Sequence, residues 1–303
     1  MMKYWIKGNY LVLKIDDLFA GKTIDEVFAY FCLAKKTIHL MKQHKQYLLN
    51  NQYVQSNTVL KDNDMLSILA YDEGIDYAYE LYDLKVVYED DFILVVDKPE
   101  KTAIYPEHKT ETGTLANYVA NYYLETNQFY PVRPIHRLDV DTTGLVIFCK
   151  CALLQPKLDL MLANKEINRS YIGVCQGILK KDCVIDKPIG RDRHQNRMRI
   201  NMHGKKAKTR LRVIKQNKAD NYTVIACQLE TGRKHQIRVH LQAINHPLLG
   251  DKLYGNESKF INRVALHAYK IAFRHPLLNQ EVEVFASLPN DFKFIGTVDL
   301  KTI

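Results

Sequence analysis

The chain has 303 residues, 47% of them apolar and 25% charged, an ordinary globular composition with room for a large core and for more than one domain. Its six cysteines are scattered without a Cys-x-x-Cys pair, which argues against a disulfide framework or a zinc site. No run of ~18 apolar residues is present to span a bilayer. The formal charge of +9 points to an anionic partner, nucleic acid first.

In chain order, Tyr10 to Ile15 reads as a strand within an otherwise irregular first 20 residues. The opening Tyr4-Trp5-Ile6-Lys7 is too short and too soon charged for a leader, so a cytoplasmic location is expected. Thr23 to Phe31 spaces apolar residues at helical intervals, with Thr23 and Glu26 forming a capping box. A second helix is expected from Lys35 to Lys45, carrying Lys35, Lys36 and Lys42 with no acid. Two short strands follow, at Tyr47–Leu49 and Met65–Ile68, and residues 70–85, acidic and rich in tyrosine, read as a linker. The division expected is therefore residues 1–80 for a small module with its linker and 81–303 for the main domain.

Val86 to Pro99 gives two strands around the acidic turn Glu89-Asp90-Asp91, the second ending at Lys98-Pro99. Thr114 to Leu124 reads as a helix. The run from Pro134 to Phe148 then joins His136-Arg137-Leu138-Asp139 to an apolar, β-branched strand through Thr142-Thr143-Gly144. A carboxylate held where a turn meets a buried strand is fixed in place and partly desolvated. From the residues alone three readings of Asp139 stay open: a local cap with Asp141, a divalent-metal pair, or a single catalytic aspartate beside Arg and His.

Leu153 to Glu166 is expected to be helical, and a strand is expected to start at Tyr171. From Arg191 to Lys215 ten Lys or Arg face one acid, Asp192. Within that run Lys208, Arg210 and Arg212 alternate with Leu211 and Val213, which puts the cations on one strand face, suited to phosphates. The block Leu229 to Leu241 ends a strand at Thr231-Gly232 and begins a helix at His235. His235 and His240 lack a third partner at zinc-ligand spacing.

His136-Arg137-Leu138-Asp139 with Thr142-Thr143-Gly144-Leu145 closely resembles the signature of the RluA-type pseudouridine synthases. So do Lys98-Pro99, Arg169-Ser170-Tyr171, the Leu229–Leu241 block, His246 to Gly255, and Leu288-Pro289-Asn290-Asp291-Phe292. The resemblance covers about residues 86–292. Residues 1–70 are loosely similar to the ribosomal-protein-type (S-four) RNA-binding module, with Asn50-Asn51 and Asp62-Asn63-Asp64 where glycines are usual. It implies an α+β fold, a large mixed and mainly antiparallel sheet with flanking helices. A doubly wound nucleotide-binding fold is the alternative, disfavoured by the lack of glycine-rich phosphate loops.

The reaction implied is isomerisation of uridine to pseudouridine in RNA, ribosomal RNA of the large subunit ahead of transfer RNA, with no cofactor and no metal. By the same resemblance Asp139 is the nucleophile acting on a flipped-out uridine, Arg238 its partner and Tyr171 the ring stacked on the base. His136 and Arg137 match residues beside the flipped nucleotide. Arg233, His235, Lys208 and Arg210, with Lys35, Lys36 and Lys42 on the small module, are assigned to RNA contact. A monomer is expected. An inactive RNA-binding protein and a metal-dependent glycosyltransferase using Asp139 and Asp141 are the readings from other classes.

Overall fold

The computed structural model describes residues 3–108 and 110–303. The chain opens with β1 (Lys3–Lys7), β2 (Tyr10–Lys14), α1 (Ile24–Tyr30), α2 (Lys35–Gln43), β3 (Tyr47–Leu49) and β4 (Met65–Leu69). It continues with β5 (Val86–Glu89), β6 (Ile93–Lys98), α3 (Leu115–Glu125), β7 (Thr143–Cys149), α4 (Gln155–Ala163) and β8 (Asn168–Gln176). There follow β9 (Cys183–Asp186), β10 (Ile189–Arg191), β11 (Met198–Ile200), β12 (Lys208–Asn217) and β13 (Tyr222–Leu229). Helix α5 (Gln236–Gln242), β14 (Leu266–Arg274), β15 (Glu281–Phe285) and a 3-10 turn at Asn290–Ile295 close the chain.

The strands form a four-stranded antiparallel sheet in the order β1-β2-β4-β3, a β10-β11 ribbon, and a nine-stranded sheet. The large sheet runs β5-β6-β7-β14-β8-β13-β12-β9, with β15 on β14, and all its pairings are antiparallel except β7 with β14. This is the expected α+β architecture, and a doubly wound parallel sheet is ruled out by the pairing. The Thr23–Glu26 capping box forms as read, with the Thr23 hydroxyl accepting from the Glu26 N–H and the Glu26 carboxylate accepting from the Thr23 N–H.

Three local expectations need correction, and three strands are added to those read from the sequence. The first 20 residues hold two strands, because β1 pairs with β2 along its whole length. The strand carrying Tyr171 begins three residues earlier, at Asn168, since β14 and β13 offer it pairing partners on both sides. Strands β9, β10 and β11 fall in stretches with no clear alternation and are stabilised by their neighbours. Residues 70–85 lack regular structure but are fastened to the main domain. The Asp76 carboxylate accepts from the Val132 N–H, the Asn117 amide donates to the Ala78 carbonyl, and the rings of Tyr82 and Tyr118 stack 4.1 Å apart.

Burial joins the two sheets. One apolar cluster runs from Leu11, Phe28, Leu66 and Ile68 of the small sheet and its helices into Phe92, Ile147, Phe273 and Val284 of the large one. The opposite face of the large sheet packs Val146, Phe148, Tyr171 and Cys227 against α3 and α5.

The single parallel pairing depends on one glycine. Gly144 sits at φ +112, opposite Ala268, and a Cβ there would lie 2.2 Å from the Ala268 carbonyl oxygen. Gly144→Ala is expected to lower the unfolding free energy by about 2–4 kcal/mol, combining backbone strain and overpacking. Urea denaturation of the two proteins measures it, and an unchanged midpoint would refute the close approach.

Candidate active site

The central motif makes a return onto its own strand. The Ile135 N–H donates to the Ile147 carbonyl and the Cys149 N–H to the Arg133 carbonyl, so residues 133–135 run beside β7. The bend between them is closed by the Thr142 N–H donating to the Asp139 carbonyl at 3.0 Å.

Two buried cations hold this bend from beneath. The Lys98 ammonium, at the end of β6, donates to the carbonyls of Val140 at 2.9 Å, Thr102 at 2.7 Å and Pro99 at 2.9 Å. Burial, helped by the Arg263 guanidinium, pushes its pKa down to about 7, while Asp141 and Asp139 oppose the shift. Arg263 donates to the Asp141 carbonyl at 3.0 Å and is itself gripped by both Asp291 oxygens at 2.7 and 3.0 Å. The C-terminal Leu288–Phe292 segment thus reaches the bend through one ion pair.

Above the bend, α5 presents Arg238 towards Asp139. The helix is short and is pinned by polar contacts. Gln236 donates to the Lys208 carbonyl and accepts from the Thr231 hydroxyl and the Arg233 N–H. His240 uses both ring nitrogens on the Thr209 hydroxyl and the Lys187 carbonyl, each at 2.9 Å, which accounts for it as a structural side chain. Arg238 makes two 2.8 Å bonds to the fully buried Asp251, leaving its remaining nitrogen 3.4 Å from an Asp139 oxygen. The expected Arg238–Asp139 pair is present, but Asp251 is the stronger partner. Burial works against the Arg238 charge, and the Asp251 carboxylate, with Asp139 behind it, more than offsets this and raises its pKa.

His235 caps α5 in the left-handed region, at φ +55. Its Nδ1 lies 2.9 Å from the Tyr254 hydroxyl and its Nε2 lies 3.8 Å from Asp139, beyond hydrogen-bonding range. Burial lowers its pKa despite Asp139, and Arg238 and Lys234 push the same way.

Asp139, Tyr171 and Arg238 line one cleft of about 820 Å³, together with His136, Arg137, Arg233 and His235. The sequence separates these residues by up to 102 positions, from His136 to Arg238, and the fold brings all seven together. Tyr171 is 4% exposed, and burial raises the pKa of its hydroxyl. His136 lies deep in the wall: its Nε2 accepts from the Ile147 N–H at 3.4 Å, and burial holds its pKa well below the usual imidazole range. Lys208 and Arg210 stand outside this lining and pair with Glu230 at 3.5 and 2.7 Å, so a phosphate there would compete with a carboxylate. Lys35, Lys36 and Lys42 lie on α2 of the small sheet's helical layer, Lys35 and Lys36 exposed and Lys42 2.9 Å from Asp25.

Among the described residues no three His, Cys, Asp or Glu side chains gather as a metal site, so Asp139 and Asp141 have no third ligand to share. No described helix is long and apolar enough to cross a membrane.

A family model described as RNA pseudouridylate synthase matches residues 92–243, the stretch that builds the bend, the cleft and α5. The chain belongs to the RNA pseudouridine synthase family, on its RluA-type branch. A second model, the RluD ribosomal pseudouridine synthase N-terminal domain, matches residues 11–66. The chain is 37% identical to the uncharacterized RNA pseudouridine synthase YhcT of Bacillus subtilis, over 95% of this chain and 96% of that one. It is 37% identical to a ribosomal large subunit pseudouridine synthase D of Neisseria meningitidis, over 96% and 82%. Among solved structures it is similar to human RNA pseudouridylate synthase domain containing 1, at 25% identity and a TM-score of 0.57, over 68% of this chain and 84% of that one. The protein is accordingly an RNA pseudouridine synthase, an enzyme with an RNA substrate.

Several members of this synthase's site give no sign of their role in the sequence. Asp251, Lys98 and Asp291 stand inside the family-like motifs, but each acts on a residue outside its own motif. Tyr254 also lies in such a motif, whereas Arg263 carries no local signal beyond its residue type. Asp251→Asn is expected to destabilise the fold by about 3–5 kcal/mol, since it leaves the buried Arg238 charge without its main partner. Urea denaturation of the variant provides the measurement, and a loss below about 1 kcal/mol would show that Asp139 alone suffices.

Proposed function

We propose that this synthase isomerises uridines in ribosomal RNA of the large subunit, with Asp139 as the nucleophile on a flipped-out uridine. The observation that carries the reading is the placement of Asp139, with 22% of its side chain exposed, on a bend in a cleft facing an arginine that is otherwise occupied. The cleft admits a base only if that base leaves its stack, at a cost of a few kcal/mol. Isomerisation detaches the uracil from nitrogen and rejoins it through carbon 5, with no net redox change and no group lost. The work for the protein is one attacking carboxylate, a surface that holds the loosened base, and proton movement.

Tyr171 supplies the surface and Arg238 the charge that orients Asp139. Arg137 and Arg233 provide cations at the rim for the flanking phosphates, and His136 and His235, whose charged forms burial disfavours, contribute shape and hydrogen bonding. Lys35, Lys36 and Lys42 on α2, with Lys208 and Arg210 on β12, extend the basic surface that RNA follows. Residues 1–80 act as an RNA-binding module and 81–303 as the catalytic domain, in a cytoplasmic monomer. The ribosomal assignment rests on the names of the relatives, several of which are large-subunit synthases. Mapping pseudouridine across total RNA with and without the protein tests it, and sites confined to transfer RNA would overturn it.

Asp139→Asn is expected to abolish isomerisation while RNA affinity stays within a few fold, because a nucleophile lowers the barrier whereas affinity comes mostly from phosphates. Substantial turnover by the purified variant would overturn the assignment.

Tyr171→Phe separates stacking from proton transfer. The phenyl ring retains the π-face, so RNA affinity is expected to stay near normal. The hydroxyl is taken to have a chemical or orienting task, so turnover is expected to fall by ~10²–10⁴-fold. Single-turnover rates on saturating RNA decide, and near-normal turnover would leave Tyr171 as a platform alone.

A further inference from the structure

The small sheet has two faces with different surroundings. Leu11, Leu13, Leu66 and Ile68 point into the shared core. On the other face the register sets Trp5 opposite Val12, Lys7 opposite Tyr10, and Lys3 opposite Lys14. Trp5 is the chain's single tryptophan and is 48% exposed. Along β1 the outward order is Lys3, Trp5, Lys7, spaced at roughly 6.7 Å per step.

Lysines on an edge strand ordinarily guard it against pairing with another chain. A half-exposed indole between them does the opposite, because it offers a large apolar face at the centre of the edge. Lys3 directly opposite Lys14 also repels across the strand pair unless an anion lies between them. Among the described residues none of these three lysines has a carboxylate within 4 Å, unlike Lys42 or Lys208. Charge on this face is therefore complementary to a polyanion that also carries flat rings.

We propose that the outer face of the β1-β2 pair binds an unpaired stretch of RNA, with a base stacked on Trp5 and phosphates on Lys3, Lys7 and Lys14. A duplex keeps its bases stacked on one another and cannot offer a free π-face, so the partner is single-stranded. The inference rests on the RNA substrate of the family and is independent of the role given to Asp139.

The single tryptophan makes the test direct. The full-length protein is titrated with a short single-stranded oligouridylate, and in parallel with a duplex of equal length, while Trp5 emission is followed. Saturable quenching by the single strand is expected, with little by the duplex. Trp5→Ala is expected to weaken oligouridylate binding about tenfold or more, and Trp5→Phe to restore most of it. Replacing Lys3, Lys7 and Lys14 by Gln is expected to flatten the slope of log affinity against log salt by roughly 0.7 for each phosphate no longer neutralised. The Asp139→Asn protein is expected to keep the quenching whether or not it retains turnover, which separates failure of this surface from failure of the catalytic reading. Unchanged emission while a labelled oligouridylate is seen to bind would overturn the proposal. So would equal quenching by duplex, or an emission change that follows protein concentration without RNA.

Discussion

The bend from Asp139 to Thr142 is the constraint on which the site depends. It is a short piece of backbone whose carbonyls would be costly to bury without donors. Lys98 and Arg263 supply them, one from β6 and one from the approach to β14. Both cations are nearly inaccessible, at 1% and 3% exposure, so their charge has to be answered locally. For Lys98 the answer is three carbonyls. For Arg263 it is Asp291, which ties the C-terminal turn to the same place. The bend is thus over-determined from below, and the Asp139 carboxylate projects from a fixed base into the cleft.

The cleft's other wall follows a parallel logic. Arg238 needs two partners because it is buried, and it receives a strong one in Asp251 and a longer one in Asp139. The asymmetry matters chemically. A guanidinium fully committed to Asp139 would engage both oxygens of that carboxylate. With Asp251 carrying the arginine, Asp139 keeps one oxygen directed at a single N–H and the other clear of any bond shorter than 3.8 Å to a described histidine or basic side chain.

The fold was legible where apolar spacing or capping chemistry acts locally. The Thr23–Glu26 box, the helix from Thr114 and the strand after Gly144 all follow from neighbours in sequence. β1 escaped because Lys3-Tyr4-Trp5-Ile6-Lys7 sets three apolar residues in a row and buries none of them, so no alternation shows, and β9 to β11 escaped because their order comes from pairing. For the site, motifs shared with a family picked out seven residues that the fold gathers in one cleft. Asp251, Lys98 and Arg263 were not assigned a role, since neither motif membership nor residue type says which charge or carbonyl each one meets. At Lys208 and Arg210 the strand alternation was right, and what the sequence does not reveal is that both side chains pair with Glu230.

The shared core changes what the small module can do. A tethered RNA-binding module finds its ligand through effective concentration alone. Here Phe28, Leu66 and Ile68 pack in one cluster with Phe92 and Ile147, and the Tyr30 hydroxyl donates to the Pro276 carbonyl at 2.6 Å. The strand that buries Ile147 on this side buries Val146 and Phe148 on the other, beneath the cleft. Basic α2, the outer face bearing Trp5 and the cleft bearing Asp139 therefore keep fixed relative positions. An RNA that touches more than one of them must present an unpaired uridine and its contacts at matching distances. Selection of the target nucleotide then follows from RNA shape as well as from the base in the pocket.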